Sequence, residues 1–108
     1  MAAQFHLGVL YQYGFGLNAD PAQATVWYAK AAEQGFADAQ YNLGVAYDQG
    51  LGVNQDVAQA AQWYRRAANQ GNANAQNNLG SLYENGTGIE RDLVQAAALY
   101  RAAAEQGH

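Results

Sequence analysis

The 108-residue chain repeats itself three times at a spacing of 36 residues, with no insertion or deletion between copies. Leu7-Gly8, Leu43-Gly44 and Leu79-Gly80 fall in register, as do Tyr11, Tyr47 and Tyr83. Gly14-x-Gly16, Gly50-x-Gly52 and Gly86-x-Gly88 follow, then Asp20, Asp56 and Asp92, then Tyr28, Tyr64 and Tyr100. Each unit closes on Gln-Gly, at Gln34-Gly35, Gln70-Gly71 and Gln106-Gly107. A fixed period of roughly 20 to 50 residues marks one supersecondary unit stacked on copies of itself. The expected organisation is a single repeat domain over residues 1–108, with units 1–36, 37–72 and 73–108 and no separate capping helix.

The second unit shows what that supersecondary element is. Ala39, Leu43 and Tyr47 recur at four-residue spacing, the stripe of an amphipathic helix, called helix A in each unit. Gly44 stands beside that stripe, although a mid-helix glycine costs about 1 kcal/mol against alanine. Its recurrence at Gly8 and Gly80 points to a place where a partner helix packs against bare backbone. Gly50-Leu51-Gly52 ends helix A, the first glycine suiting the left-handed position after a helix end. A phosphate-cradling reading of this loop fails, since no Lys-Ser/Thr follows it and no strand precedes it. The apolar residue after the second glycine (Leu17, Val53, Ile89) is expected to tuck the loop into the core. Asp56 reads as the N-cap of helix B, as do Asp20, with Pro21 behind it, and Asp92. Helix B buries Ala60, Trp63-Tyr64 and Ala67-Ala68 and stops at Gln70-Gly71. Trp27, Trp63 and the repeated tyrosines are expected to be packing residues between helices rather than stacking platforms for a ligand.

Composition excludes several function classes. The formal charge is −4, and only five Lys/Arg are present, against the basic footprint that a phosphate backbone demands. No basic amphipathic stretch marks a membrane surface, and no apolar run approaches the ~20 residues needed to span one. Nucleic acid and membrane are therefore not the expected partners. There is no cysteine, hence no disulfide or thiolate chemistry, and no signal peptide, so a soluble domain is expected with its compartment unspecified.

Helix A with Leu-Gly-x-x-Tyr, an alanine-rich helix B and a period near 34 resembles the tetratricopeptide class. The 36-residue period, the Gly-x-Gly loop and the ending Tyr-x-x-Ala-Ala-x-Gln-Gly narrow this to the Sel-one-like repeat (SLR) family. Ala39 to Val53, followed by Trp63-Tyr64-Arg65-Arg66-Ala67-Ala68, carries the likeness best, and it covers essentially the whole chain. The third unit departs at Leu99, where the others have tryptophan, and at Asn77, where the others have Phe5 and Tyr41, so looser packing is expected there. The resemblance implies an all-α, α/α solenoid: a right-handed superhelix of three antiparallel helix pairs, six helices and no sheet, with A helices lining the concave face. It also implies an adaptor that binds proteins, not an enzyme.

By the same resemblance, a peptide or protein segment would meet helix-A positions outside the Leu/Gly/Tyr stripe. These are Phe5, Val9, Gln12 and Tyr13 in the first unit, Tyr41, Asn42, Val45 and Asp48 in the second, and Asn77, Asn78, Ser81 and Glu84 in the third. All five Lys/Arg (Lys30, Arg65, Arg66, Arg91, Arg101) fall on helix B or the loop before one. The groove is therefore expected to take apolar or basic segments rather than acidic tails. The alternative is a structural or engineered module without a ligand of its own that associates end to end. The chain stops at a unit boundary, as a stretch of a longer array or an engineered module would, and helix B of the third unit would leave apolar surface open. Head-to-tail homo-association through Leu99, Tyr100, Ala103 and Ala104 is expected from that surface.

Catalysis finds little to work with. Ser81, Thr25 and Thr87 are the only hydroxyl nucleophiles of their type, and Ser81 has neither a Ser-x-x-Lys pattern nor a neighbouring histidine. His6 and His108 sit at opposite ends of the array, too far apart for one metal or one acid–base pair. No metal and no cofactor is implied.

Overall fold

A computed structural model of the protein describes residues 2–13 and 20–106, the side chains of Ala2 and Tyr11–Tyr13 excepted. These residues form six helices and no strand: α1 (Ala2–Tyr13), α2 (Pro21–Glu33), α3 (Ala37–Gln49), α4 (Val57–Asn69), α5 (Ala73–Asn85) and α6 (Leu93–Ala104). Helices α1, α3 and α5 are the A helices, and α2, α4 and α6 the B helices. Each pair packs on itself and on the next pair, and the extensive contacts run between neighbours in the chain order, as in a solenoid. The body is elongated, 43 × 27 × 21 Å. Among the described residues no helix is long and apolar enough to cross a membrane.

The ends of the helices follow the sequence signals. Asp20 and Asp56 accept hydrogen bonds from the backbone N–H of Gln23 and Gln59, and Asp92 accepts from Val94 and Gln95. A carboxylate there satisfies free N–H groups and meets the positive end of the helix dipole. At the far end of α3 and α5, Gly50 and Gly86 adopt φ of 70° and 67°, the left-handed turn that a side chain disfavours. In the next stretch Leu51 and Thr87 return backbone bonds to the carbonyls of Ala46 and Leu82. Val53 and Ile89 are half-buried, and Ile89 packs on the core as expected of the loop anchor. Leu17 lies outside the described residues.

The core is built from small residues and a few large ones. Ala31, Ala39, Ala60, Ala67, Ala75 and Ala103 are completely buried, so the helix backbones approach closely. Tyr64 and Leu79 are the largest side chains with essentially no exposure. The recurring mid-helix glycine now has its physical reason. A Cβ added at Gly44 would lie 2.6 Å from the Tyr64 ring, and one at Gly8 would lie 2.7 Å from the Tyr28 ring. Each A helix thus lacks one side chain so that the B-helix tyrosine of the same unit can lie flat on its backbone. Trp63 is half-buried and flanks the cluster of Ala31, Ala32, Ala39 and Leu43, while Leu99, its replacement in the third unit, flanks the next one.

A second close approach joins successive units. A Cβ at Gly88 would lie 2.6 Å from Val57, and one at Gly52 would lie 2.4 Å from the Pro21 carbonyl oxygen. The second loop glycine therefore seats the loop of one unit on the first turn of helix B of the unit before. The first glycine of the Gly-x-Gly motif serves the left-handed turn, and the second makes the close approach between units.

Candidate partner-binding surface

The tyrosines that cover Gly44 and Gly80 end in hydroxyls whose acceptors lie one helical turn beyond those glycines. Tyr64 donates to the Asp48 carboxylate at 3.1 Å, and Tyr100 donates to Glu84 at 2.9 Å. Burial pushes the Tyr64 phenol well above its ordinary value, and the neighbouring Asp48 charge adds to that shift, while hydrogen bonding by Asn78 opposes it. Tyr64 therefore ties α4 to α3 of its own unit and to α5 of the next. The Tyr100 phenol is also raised, by burial first and then by Glu84. The acceptors are two of the expected partner residues, and they occupy matching positions. Gln12 stands at the third such position in the sequence, its side chain outside the described residues. Asp48 and Glu84, two carboxylates at one repeat position with a tyrosine at a fixed position in each unit, are the sequence signal that would have exposed this bond.

The other expected positions divide into two groups. Phe5 and Tyr41 are largely committed to packing. Phe5 meets Phe36 edge-on at 5.0 Å and Tyr28 at 5.7 Å, and Tyr41 lies 6.0 Å from the Tyr64 ring. Their aromatic rings fill gaps between helices, and only part of each remains open. Val9, Asn42, Val45, Asn77, Asn78 and Ser81 are half-buried, and Glu84 is exposed. Asn42, Val45 and Asp48 follow at three-residue steps on α3, so they share a face. Gln12 and Tyr13 have side chains outside the described residues.

A cavity of about 220 Å³ opens on that face, between α2 and α3. Asn42 and Val45 form one wall, Ala24, Thr25 and Tyr28 the other, with Leu51 at its edge. The Thr25 hydroxyl donates to the Leu51 carbonyl at 2.8 Å and holds that edge in place. Thr25 is thus a positioning group for that loop. Ser81 is half-buried, and its hydroxyl accepts from the Asn85 amide at 3.4 Å.

The positive charges lie away from this row. Lys30 sits over the Trp27 ring at 4.4 Å and Arg66 over Trp63 at 4.6 Å, both cation–π contacts of the B helices. Arg65 stacks on Tyr83, 5.4 Å from the ring centre, and donates to its hydroxyl, joining α4 to α5. Arg91 donates to the Glu84 carbonyl at 3.1 Å, a second cation near the end of α5. Asp48 sits where α3 supplies no cation of its own.

Stacked helix pairs with a partly open row along the A helices define an all-α repeat solenoid. The chain belongs to the Sel1 repeat family: the family model matches residues 2–36, 37–72 and 73–108, one match per helix pair. Proteins of this repeat class generally act in protein–protein interaction and serve as non-catalytic scaffolds. Among solved structures, a Sel1 repeat protein from Oxalobacter formigenes is 44% identical with a TM-score of 0.95 over 98% of this chain. A protective antigen of uropathogenic Escherichia coli strains, which displays an SLR fold, is 46% identical with a TM-score of 0.97 over 99% of this chain. The chain spans 44% and 23% of the lengths of those two proteins. No curated protein matches it.

Proposed function

We propose that the chain is an interaction scaffold that holds a polypeptide segment along the A-helix row, on the face that carries Asn42, Val45 and Asp48. The observation that supports this most is the cavity between α2 and α3, because its walls are mostly apolar and Asn42 and Val45 of the row line it. An apolar side chain of the segment seats against Val45, Ala24 and Leu51. The Asn42 and Asn78 amides offer a donor and an acceptor each to an extended backbone. Asp48 and Glu84, one repeat apart, favour a basic residue in the same segment and disfavour an acidic one. The scaffold has no chemistry to perform on its ligand. Its contribution is a preformed surface that changes from unit to unit while the Leu/Gly/Tyr stripe beneath it stays the same.

A peptide library screened against the folded chain, followed by calorimetry on the best binders, tests this reading. Binders are expected to combine an apolar anchor with Lys or Arg. Val45→Lys is expected to weaken them at least tenfold while the circular dichroism spectrum stays unchanged. Selective capture of acidic C-terminal tails, or binding indifferent to Val45→Lys, would overturn it. A folded protein that captures no peptide at all would favour the spacer reading, to which the packed rings of Phe5 and Tyr41 lend some weight.

A further inference from the structure

Equivalent positions of the three units often behave alike. Ala103, expected at an end-to-end contact, is completely buried, as are Ala31 and Ala67 at the same position. One position inside the array departs from its counterparts in volume. Ala46 on α3 stands where the first unit has Leu10 and the third has Leu82, three carbons fewer at a buried site. Leu82 shares one buried cluster with Ala60, Ala61 and Tyr64. The counterparts of those three residues on α2 are Ala24, Thr25 and Tyr28, which form the far wall of the cavity of about 220 Å³ that Ala46 also lines. The α4–α5 junction therefore fills from within the volume that the α2–α3 junction leaves open.

Further exchanges keep that opening apolar and in shape. Val45 and Leu51 line it, and their counterparts in the third unit are Ser81 and Thr87. The Thr25 hydroxyl holds the Leu51 carbonyl at 2.8 Å, whereas Ala61, its counterpart, has no hydroxyl with which to hold Thr87. A cavity of about 230 Å³ does open between α4 and α5, but Leu79, Tyr83 and Arg65 line it, and of the counterparts just named only Ala61 reaches it. The Arg65 guanidinium there opposes a basic segment.

We infer that Ala46 is the specificity-determining residue of the A-helix row: it opens, at the α2–α3 junction, a seat for one leucine- or phenylalanine-sized apolar group. That the group belongs to a bound polypeptide rests on the function proposed above. An apolar cavity of about 150 Å³ is enough to hold benzene, so the larger opening here accepts one such group. The Thr25 hydroxyl is already bonded to Leu51, which leaves an aliphatic or aromatic occupant favoured over a polar one. Asp48 stands three residues beyond Val45 on a helix without Lys or Arg, so the anchor is carried beside a basic residue. A single seat also fixes the register of the segment, which a row of identical units could not do.

Benzene, followed through NMR shifts of the folded chain, tests the seat without any peptide. Shifts are expected to centre on Thr25, Val45, Ala46 and Leu51 in the wild type and to vanish in Ala46→Leu, whose unfolding midpoint stays unchanged or rises as the cavity is filled. Ala46→Val, which adds two carbons, is expected to weaken the shifts in part and guards against a leucine variant that fails to fold. No shifts at these residues, or shifts that survive Ala46→Leu, overturn the inference. In the best-binding peptide, replacing the apolar anchor by alanine is expected to cost the wild type about tenfold in affinity and to cost Ala46→Leu almost nothing. Peptide binding that Val45→Lys abolishes but Ala46→Leu leaves intact overturns the seat and spares the proposed function. Benzene bound at the seat of a chain that captures no peptide supports the seat and overturns the proposed function.

Discussion

Tyr64 and Tyr100 occupy the same position in successive units, lie over equivalent glycines and donate to equivalent carboxylates. Their fates nevertheless differ. Tyr64 has no exposed surface, whereas Tyr100 is half-buried. The residues that make the difference are not in the unit itself: α5 covers Tyr64, and nothing among the described residues covers Tyr100 in the same way. A unit of this solenoid is therefore completed by its successor. Each helix pair supplies one face of a core and borrows the other, which is why stability in such arrays resides in the junctions as much as in the units.

The harshest way to probe that difference is to remove each ring. Tyr64→Ala is expected to destabilise the fold by about 3–5 kcal/mol, the usual range for emptying a filled aromatic site, and Tyr100→Ala by only about 1–2 kcal/mol. Urea unfolding followed by circular dichroism distinguishes them. Equal losses would mean that the intra-unit contact with the glycine, not the junction, carries the ring's contribution.

The glycines under those rings sharpen the comparison. Placing alanine in mid-helix gains about 1 kcal/mol of helix propensity. At Gly44 the new methyl would lie 2.6 Å from a ring that cannot retreat, and overpacking of this kind costs about 1–3 kcal/mol. At Gly80 the approach is 3.1 Å, and the Tyr100 ring has open space on its far side. Gly44→Ala is accordingly expected to destabilise by up to about 2 kcal/mol net, while Gly80→Ala is neutral or slightly stabilising. Thermal unfolding of the two single variants reads the sign directly.

Most helix boundaries, caps and packing positions are legible in the amino-acid sequence, and the reason is the repeat. Leu43, Gly44, Tyr64 and Asp56 recur at fixed spacing, so three copies vote on each position and local rules are enough. What the sequence conceals is what lies between helices. The pairing of Tyr64 with Asp48 joins residues sixteen apart, and the bond from Gln40 to Ala32 crosses a junction. Gln34, Gln70 and Gln106 read as the residue before a helix-ending glycine, and only the folded chain reveals them reaching Gln4, Gln40 and Gln76. Phe5 and Tyr41 illustrate the opposite difficulty. An aromatic on a helix face carries the same letter whether it greets a ligand or fills a gap, and here the rings of Phe36 and Tyr64 decide for packing.

The gentlest contrast removes one oxygen. Tyr64→Phe keeps the ring on Gly44 but leaves the part-buried Asp48 carboxylate without its donor, so a loss of about 1 kcal/mol is expected. Tyr100→Phe breaks a bond at an exposed carboxylate that water can replace, and a loss of at most about 0.5 kcal/mol is expected. Alkaline pH provides the same test without mutation. The folded Tyr64 phenol holds its proton more tightly than the ordinary tyrosine value of 10.0, chiefly because burial disfavours the phenolate. Over the range between the ordinary and the raised value, the unfolded chain has released a proton that the folded chain retains. Folding stability from this group is therefore fully present below about pH 10 and falls as pH rises beyond it. Tyr64→Phe should flatten that alkaline decline more than Tyr100→Phe does, which unfolding midpoints measured from about pH 8 to about pH 11.5 would reveal. An equal flattening by both variants would show that burial by the following unit does not set the phenol's proton affinity, and that the two tyrosines differ less than their surroundings imply.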